Sequence, residues 1–359
     1  VTPVELSRTV LRAVRRAVEG GQLGAASVPE RVLVTVPGPG GVGDYATNVA
    51  LQIARPAGRH PLQVAAILRA HLQRADGIAD VSVTGPGFLN FRVAQGGTAA
   101  LVDEILRSGR GGRRRYGHRD ARIAGSPVRL RAPHEVRALV VMGVVAELYR
   151  SQGAADVRTA CTAPPETAWC ATLAVRVDDI RPASAEDLDI RPVPAPADPV
   201  PLGRDAGRWA LLRPAAHDLP RIGGEHLVQR EGNPLFRVRY AYARVRAVSR
   251  NASDLGFAAD PADDPAPGLT AAPAKTLLAL LADHPRVLAS AAEHRAPDRL
   301  ARQLVAVADA VTAFLPAVLP LGGEKPSAAH RARLALAEAA GTVLAGGLDI
   351  LGIEAPDHL

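Results

Sequence analysis

From residue 233 to residue 359, apolar side chains return at helical spacing with few breaks. This constrains the fold more than any other feature of the chain. The spacing predicts a helix over Pro234–Asn251, two shorter ones over Lys275–Leu281 and Pro285–Glu293, and a fourth over Asp298–Phe314. A fifth is predicted over His330–Gly346, followed by a short turn and Leu348–Ile353. The fourth puts Leu300, Leu304, Val307, Val311 and Phe314 on one face. Stripes of this kind are buried against one another, so this third of the chain is expected to be an all-α bundle.

The first hundred residues read differently. An amphipathic helix is expected over residues 4–18, and a β-type run at Val32–Val36 stops at a Pro/Gly cluster. Helix signals return at Ala46–Ala54 and Pro61–Arg74. Val81–Thr84 and Phe88–Val93 flank Gly85-Pro86-Gly87 and predict paired strands. A helix at 97–107 closes this α+β module. Residues 107–122 then hold seven arginines among glycines. They read as a solvated linker or as a phosphate-contacting strap. The middle, 123–230, shows one clear helix from about His134 to Arg150. Prolines break 158–202, above all at 192–201, which reads as a surface connection.

Composition narrows the function. Of 43 basic residues only Lys275 and Lys325 are lysines, against 36 acidic ones, and the net charge is +7. Arginine forks match phosphate geometry, and a GC-rich genome also writes arginine for lysine. Cys161 and Cys170 make no disulfide scaffold and no metal-ligand pattern. No apolar run reaches the roughly 18 residues of a membrane span, so a soluble, cytoplasmic chain without membrane partners is expected. The run Gly38–Gly43 fits G-x-G-x-x-G, but Pro39 removes a donor and no acidic residue ends a second strand ~20 residues on. It reads as a glycine-rich turn.

Three stretches resemble arginyl-tRNA synthetases. Gly43-Asp-Tyr-Ala-Thr-Asn-Val-Ala-Leu-Gln52, with Gly85-Pro-Gly-Phe-Leu-Asn-Phe91, resembles that family's N-terminal additional domain. Asn233-Pro-Leu-Phe-Arg-Val-Arg-Tyr-Ala-Tyr-Ala-Arg244 resembles the first helix of its α-helical anticodon-binding (DALR) domain. Gly347–Leu359 resembles its extreme C-terminus. The middle keeps only remnants of the catalytic domain. Ala132-Pro-His-Glu-Val-Arg137 stands where the family carries His-x-Gly-His. With His134 on the first histidine, Val136 replaces the glycine and Arg137 the second histidine. Lys-Met-Ser-Lys-Ser is absent, and about 110 residues replace a full nucleotide-binding domain.

The resemblance implies an α+β multidomain chain. It comprises an N-terminal additional domain (1–115), a reduced Rossmann-like α/β remnant (116–230) and an all-α DALR-type bundle (231–359). It further implies a non-catalytic tRNA-binding protein of the actinobacterial synthetase-related kind, without cofactor. Its partner would be tRNA, tRNA-Arg first, with no DNA expected. The alternatives are an interaction protein acting on the ribosome or on the full-length synthetase, and an enzyme with altered chemistry in the middle. By resemblance Phe88 and Asn90 would contact the D-loop. Arg237, Arg239, Tyr240, Tyr242, Arg244, Arg246, Arg250 and Leu359 would contact the anticodon stem-loop, with Arg113, Arg114 and Arg115 forming a basic linker. Guanidinium groups suit phosphates, and aromatic rings stack on unpaired bases.

Overall fold

The structure is a computed structural model and describes residues 3–24, 28–35, 37, 42–75, 77–93, 96–112, 115–119, 127–261 and 269–359. The chain divides into two compact units. One is residues 1–102 with 261–266, the other 103–260 with 267–359.

The first unit is α+β. Helix α1 (Pro3–Glu19) buries Leu6, Val10, Val14 and Ala17. These share a core with residues of α2 (Val49–Ala54), α3 (Pro61–Leu72) and a three-stranded antiparallel sheet. The strands are β1 (Tyr45–Thr47), β2 (Ile78–Thr84) and β3 (Phe88–Val93), with β3 in the middle. The β2–β3 hairpin forms around Gly85–Gly87, as its alternation predicts. The expected helix at 46–54 starts three residues later. Ala46 instead exchanges backbone hydrogen bonds with Thr35, at 2.9 and 2.7 Å, and lies opposite Asn90. Thr35 is the only part of the expected 32–36 strand that pairs among the described residues. Val36 and Gly38–Gly41 lie outside the described residues.

Helix α4 (Gly96–Gly109) runs from the first unit into the second. Beyond it, over 115–119, the arginine-rich segment keeps Arg115 and Arg119 exposed and anchors itself through Tyr116. Tyr116 is buried and stacked on the ring of His284 at 5.9 Å, and Arg119 N donates to Ser151 O.

The second unit holds a four-stranded parallel sheet in the order β6-β5-β4-β7. Its strands are β4 (Val128–Arg131), β5 (Val157–Cys161), β6 (Asp179–Ile180) and β7 (Leu188–Asp189). Helices α5 (Val136–Ser151) and α6 (Thr167–Leu173) connect β4 to β5 and β5 to β6, residues 181–187 join β6 to β7 without a helix, and α7 (Gly203–Leu212) follows. Helix α5 is apolar nearly all round and buried to match. The proline-rich middle therefore contains the reduced parallel α/β layer that the fold reading expects.

The rest is all helical: α8 (Pro234–Asp254), α9 (Ala272–Glu293), α10 (Pro297–Phe314) and α11 (Ala328–Leu351). Two expected breaks are absent. Pro285 lies inside α9, where its missing N–H costs one helical bond. Buried Leu281, Ala282, His284 and Leu288 around it hold the helix through that turn. Gly347 lies inside α11 because α10 passes close by. A Cβ there would come within 2.5 Å of Leu304 Cδ2. The helix ends instead at Gly352, in the left-handed region at φ 69°.

Buried His284 has a pH consequence. Its Nδ1 lies 2.8 Å from Gln303 Oε1, and burial lowers its pKa from 6.5 to about 4, with nearby His118 adding to the effect and the Gln303 bond opposing it. The unfolded chain binds this proton more readily than the folded one. The stability held above pH 6.5 is therefore lost as pH falls from 6.5 toward 4, by about 3 kcal/mol in all. Denaturant midpoints from pH 7 to 4 are expected to show this slope, and His284→Asn is expected to lose most of it. An equal slope in both proteins contradicts the assignment.

Candidate RNA-binding helix and the carboxyl end of the parallel sheet

Open parallel sheets bind ligands beyond the carboxyl ends of their strands, where the strand order reverses. Here that point lies between β4 and β7, since the chain moves from β4 to β5 and β6 and then returns to the far side of β4. There the segment after β7 bonds to the end of β4 and the start of α5. Arg131 pairs with Asp189 at 3.2 Å, and Ile190 N donates to Arg131 O at 2.7 Å. Helix α5 begins there, and a helix N-terminus is a ready anion site. Two of its free N–H groups, those of Arg137 and Ala138, are taken up by Glu135. Oε1 of Glu135 accepts from Arg137 N at 3.0 Å and Ala195 N at 3.1 Å, and Oε2 accepts from Ala138 N at 2.8 Å.

The positions resembling His-x-Gly-His serve the fold. His134 is exposed, 3.0 Å from Pro164 O and 5.2 Å from the Trp169 ring. Val136 is buried. Arg137 is wholly buried, and each of its five N–H donors meets a backbone carbonyl. Nε donates to Leu211 O, Nη1 to Val193 O and Asp218 O, and Nη2 to Pro214 O and Ala215 O, at 2.7–3.2 Å. Burial holds its pKa below the ordinary arginine value, against the pull of Glu135, Asp218 and Asp298.

Helix α8 starts at Asn233, whose side chain accepts from Leu235 N. Leu235, Val238, Ala241, Val245 and Val248 are buried, as the helical projection predicts. The remaining positions fall into three groups. Arg237 pairs with Asp309 at 2.7 Å and Arg239 with Asp205 at 3.5 Å. Phe236, Tyr240 and Arg244, four residues apart, form a ladder. The two rings stack at 5.4 Å, and the Arg244 guanidinium lies 5.8 Å from the Tyr240 centroid and donates to its hydroxyl at 3.1 Å. Phe236 is absent from the residues singled out in the sequence, although its i, i+4 spacing to Tyr240 is the signal that finds it.

The third group meets the chain's last residues. The Tyr242 ring is buried in the bundle and its hydroxyl donates to Asp357 Oδ1 at 3.3 Å. Arg246 donates to the same oxygen at 3.1 Å, and Arg250 lies 3.4 Å from His358 Nδ1. Burial pushes the Asp357 carboxyl up, but Arg246, the Tyr242 hydroxyl and Arg250 together hold it below the usual carboxylate range. Leu359 is exposed and lines a cavity of about 630 Å³ together with Arg204, Asp205, Phe236, Arg239 and Glu354.

In the N-terminal unit, Phe88 is 39% exposed at the hairpin and Asn90 is 2% exposed. They share a face of β3, but Asn90 is flanked by Ala46 and Ser82 on both neighbouring strands, whereas Phe88 lies beyond the last β1 pair. The Asn90 amide nitrogen is engaged internally, donating to Thr84 Oγ1 at 2.7 Å and to Phe88 O at 3.4 Å. The structure thus presents the ring to solvent and covers the amide expected to read a base beside it. Arg115 is exposed, while Arg113 and Arg114 lie outside the described residues.

Comparison with known proteins matches both ends of the chain. The arginyl tRNA synthetase N terminal domain matches residues 5–93, and the DALR anticodon binding domain matches residues 238–359. The arginine–tRNA ligase of Renibacterium salmoninarum is 25% identical, in an alignment of 555 positions that covers both chains in full. That of Kineococcus radiotolerans is 40% identical over 161 residues, 44% of this chain but only 29% of that ligase. The solved arginyl-tRNA synthetase of Thermus thermophilus shares the fold, with a TM-score of 0.68 over the whole of both chains at 15% identity.

Proposed function

We propose that this arginyl-tRNA synthetase-related chain is a non-catalytic tRNA-binding protein. The N-terminal domain holds the D-loop through Phe88, and the helical domain holds the anticodon stem-loop through α8. One observation carries the binding reading. The ladder of Phe236, Tyr240 and Arg244 sets stacking rings and a guanidinium along one helix face of a DALR domain. An anticodon loop offers splayed bases to such a face, and its backbone offers phosphates to the arginines. Glu135 supports the silence of the middle. Its carboxylate lies on the helix N-terminus where a nucleotide phosphate would bind, and like charges repel there. The names of the relatives make tRNA-Arg the first tRNA to test.

Filter-binding titration tests the reading. Retention of tRNA is expected to exceed that of an unrelated structured RNA of equal length, and to fall steeply as salt rises. Tyr240→Ala is expected to weaken binding by about tenfold, the scale of one lost base stack. Equal retention of both RNAs overturns the proposal.

A further inference from the structure

Arg246 and Arg250 lie one turn apart on α8, on the edge where an RNA backbone would run if the helix binds RNA. The segment 354–358 already lies across that edge. It is rooted at Ile353, which is buried, and at Glu354, whose backbone N donates to Asp205 Oδ1 at 3.1 Å. It is pinned at Asp357, where one carboxylate oxygen accepts from both Arg246 and the Tyr242 hydroxyl. His358 lies against Arg250.

We propose that residues 355–358 form an acidic latch over the phosphate-binding edge of α8, and that RNA reaches Arg246 and Arg250 by displacing Asp357. This inference rests on the RNA-binding reading above. The donor set that Asp357 occupies, a guanidinium N–H and a phenolic O–H converging on one anionic oxygen, is the set a phosphate oxygen takes. The contact is built to yield. Arg246 and Asp357 are half exposed and meet through a single oxygen, and exposed pairs of this kind contribute little. A polyanion brings several charges and releases counterions as it binds, so it outcompetes one carboxylate. The buried root keeps the displaced segment beside the site, so the latch recloses when RNA leaves.

The test is a tRNA-binding titration of the full chain, using unfractionated tRNA as the probe. Asp357→Asn removes the charge of the latch and is expected to tighten binding about two- to fivefold. Glu354→Gln makes the same change of net charge on the same segment and is expected to have less than half that effect. In an Arg246→Gln/Arg250→Gln background, Asp357→Asn is expected to change nothing further, because the latch then has nothing to cover. Binding of tRNA that is unchanged or weakened by Asp357→Asn, or equally tightened by Glu354→Gln, overturns the latch and leaves the RNA reading standing. Absence of tRNA binding in the wild type and every variant overturns both.

Discussion

Replacing Arg137 by methionine is expected to lower the folding stability by about 4 kcal/mol. The side chain is fully buried and its five donors serve five carbonyls from residues 193 and 211–218. Methionine fills much of the volume but leaves these acceptors without a donor, and each unsatisfied buried group costs roughly 1–3 kcal/mol before the site relaxes or admits water. Arg137→Lys is expected to lose most of the same stability. An ammonium has three donors on a flexible stem, whereas the guanidinium is a planar fork of five. Denaturant unfolding measures both. A loss below about 1 kcal/mol for either variant would mean that the segments hold together without this residue.

The second large effect concerns chemistry. With ATP, arginine and tRNA present, ATP–pyrophosphate exchange is expected to remain at the blank. That lies at least about 10³-fold below an intact site, the scale set by removing one preorganised charge-stabilising donor. Adenylate formation develops charge on the α-phosphate, and groups aimed at that charge lower the barrier. At the positions resembling the family signature, Arg137 aims all five donors at carbonyls of its own chain, and Glu135 covers the Arg137 and Ala138 N–H groups of α5. Val136 is buried where close approach to the backbone calls for glycine. Exchange above the blank that disappears in His134→Ala would overturn this and restore an enzymatic reading of the middle.

How much of this was legible in the sequence follows from which forces are local. The 3.6-residue period finds α8 and its buried face, because one helix writes its own pattern. It misplaces breaks at Pro285 and at Gly346-Gly347, where packing by other helices outweighs a local breaker. The parallel sheet is harder to see. Strands β6 and β7 have two residues each and no period to detect. The proline-rich stretch hides Val193, whose carbonyl takes a bond from Arg137. At the hairpin, period two places Phe88 and Asn90 on one face correctly, but it cannot say that neighbouring strands cover only Asn90. On α8 the arginines are visible, while their partners are not. Asp205, Asp309 and Asp357 reach them only through the folded chain.

Under the proposed function, tRNA is what these surfaces hold. Sequencing the RNA that co-purifies with the full chain tests it most directly. The expected result is a population dominated by tRNA, with tRNA-Arg enriched over its cellular share and depleted by Tyr240→Ala. Recovery dominated by ribosomal RNA, or of RNA with no tRNA enrichment, would contradict it and favour a ribosome-directed role.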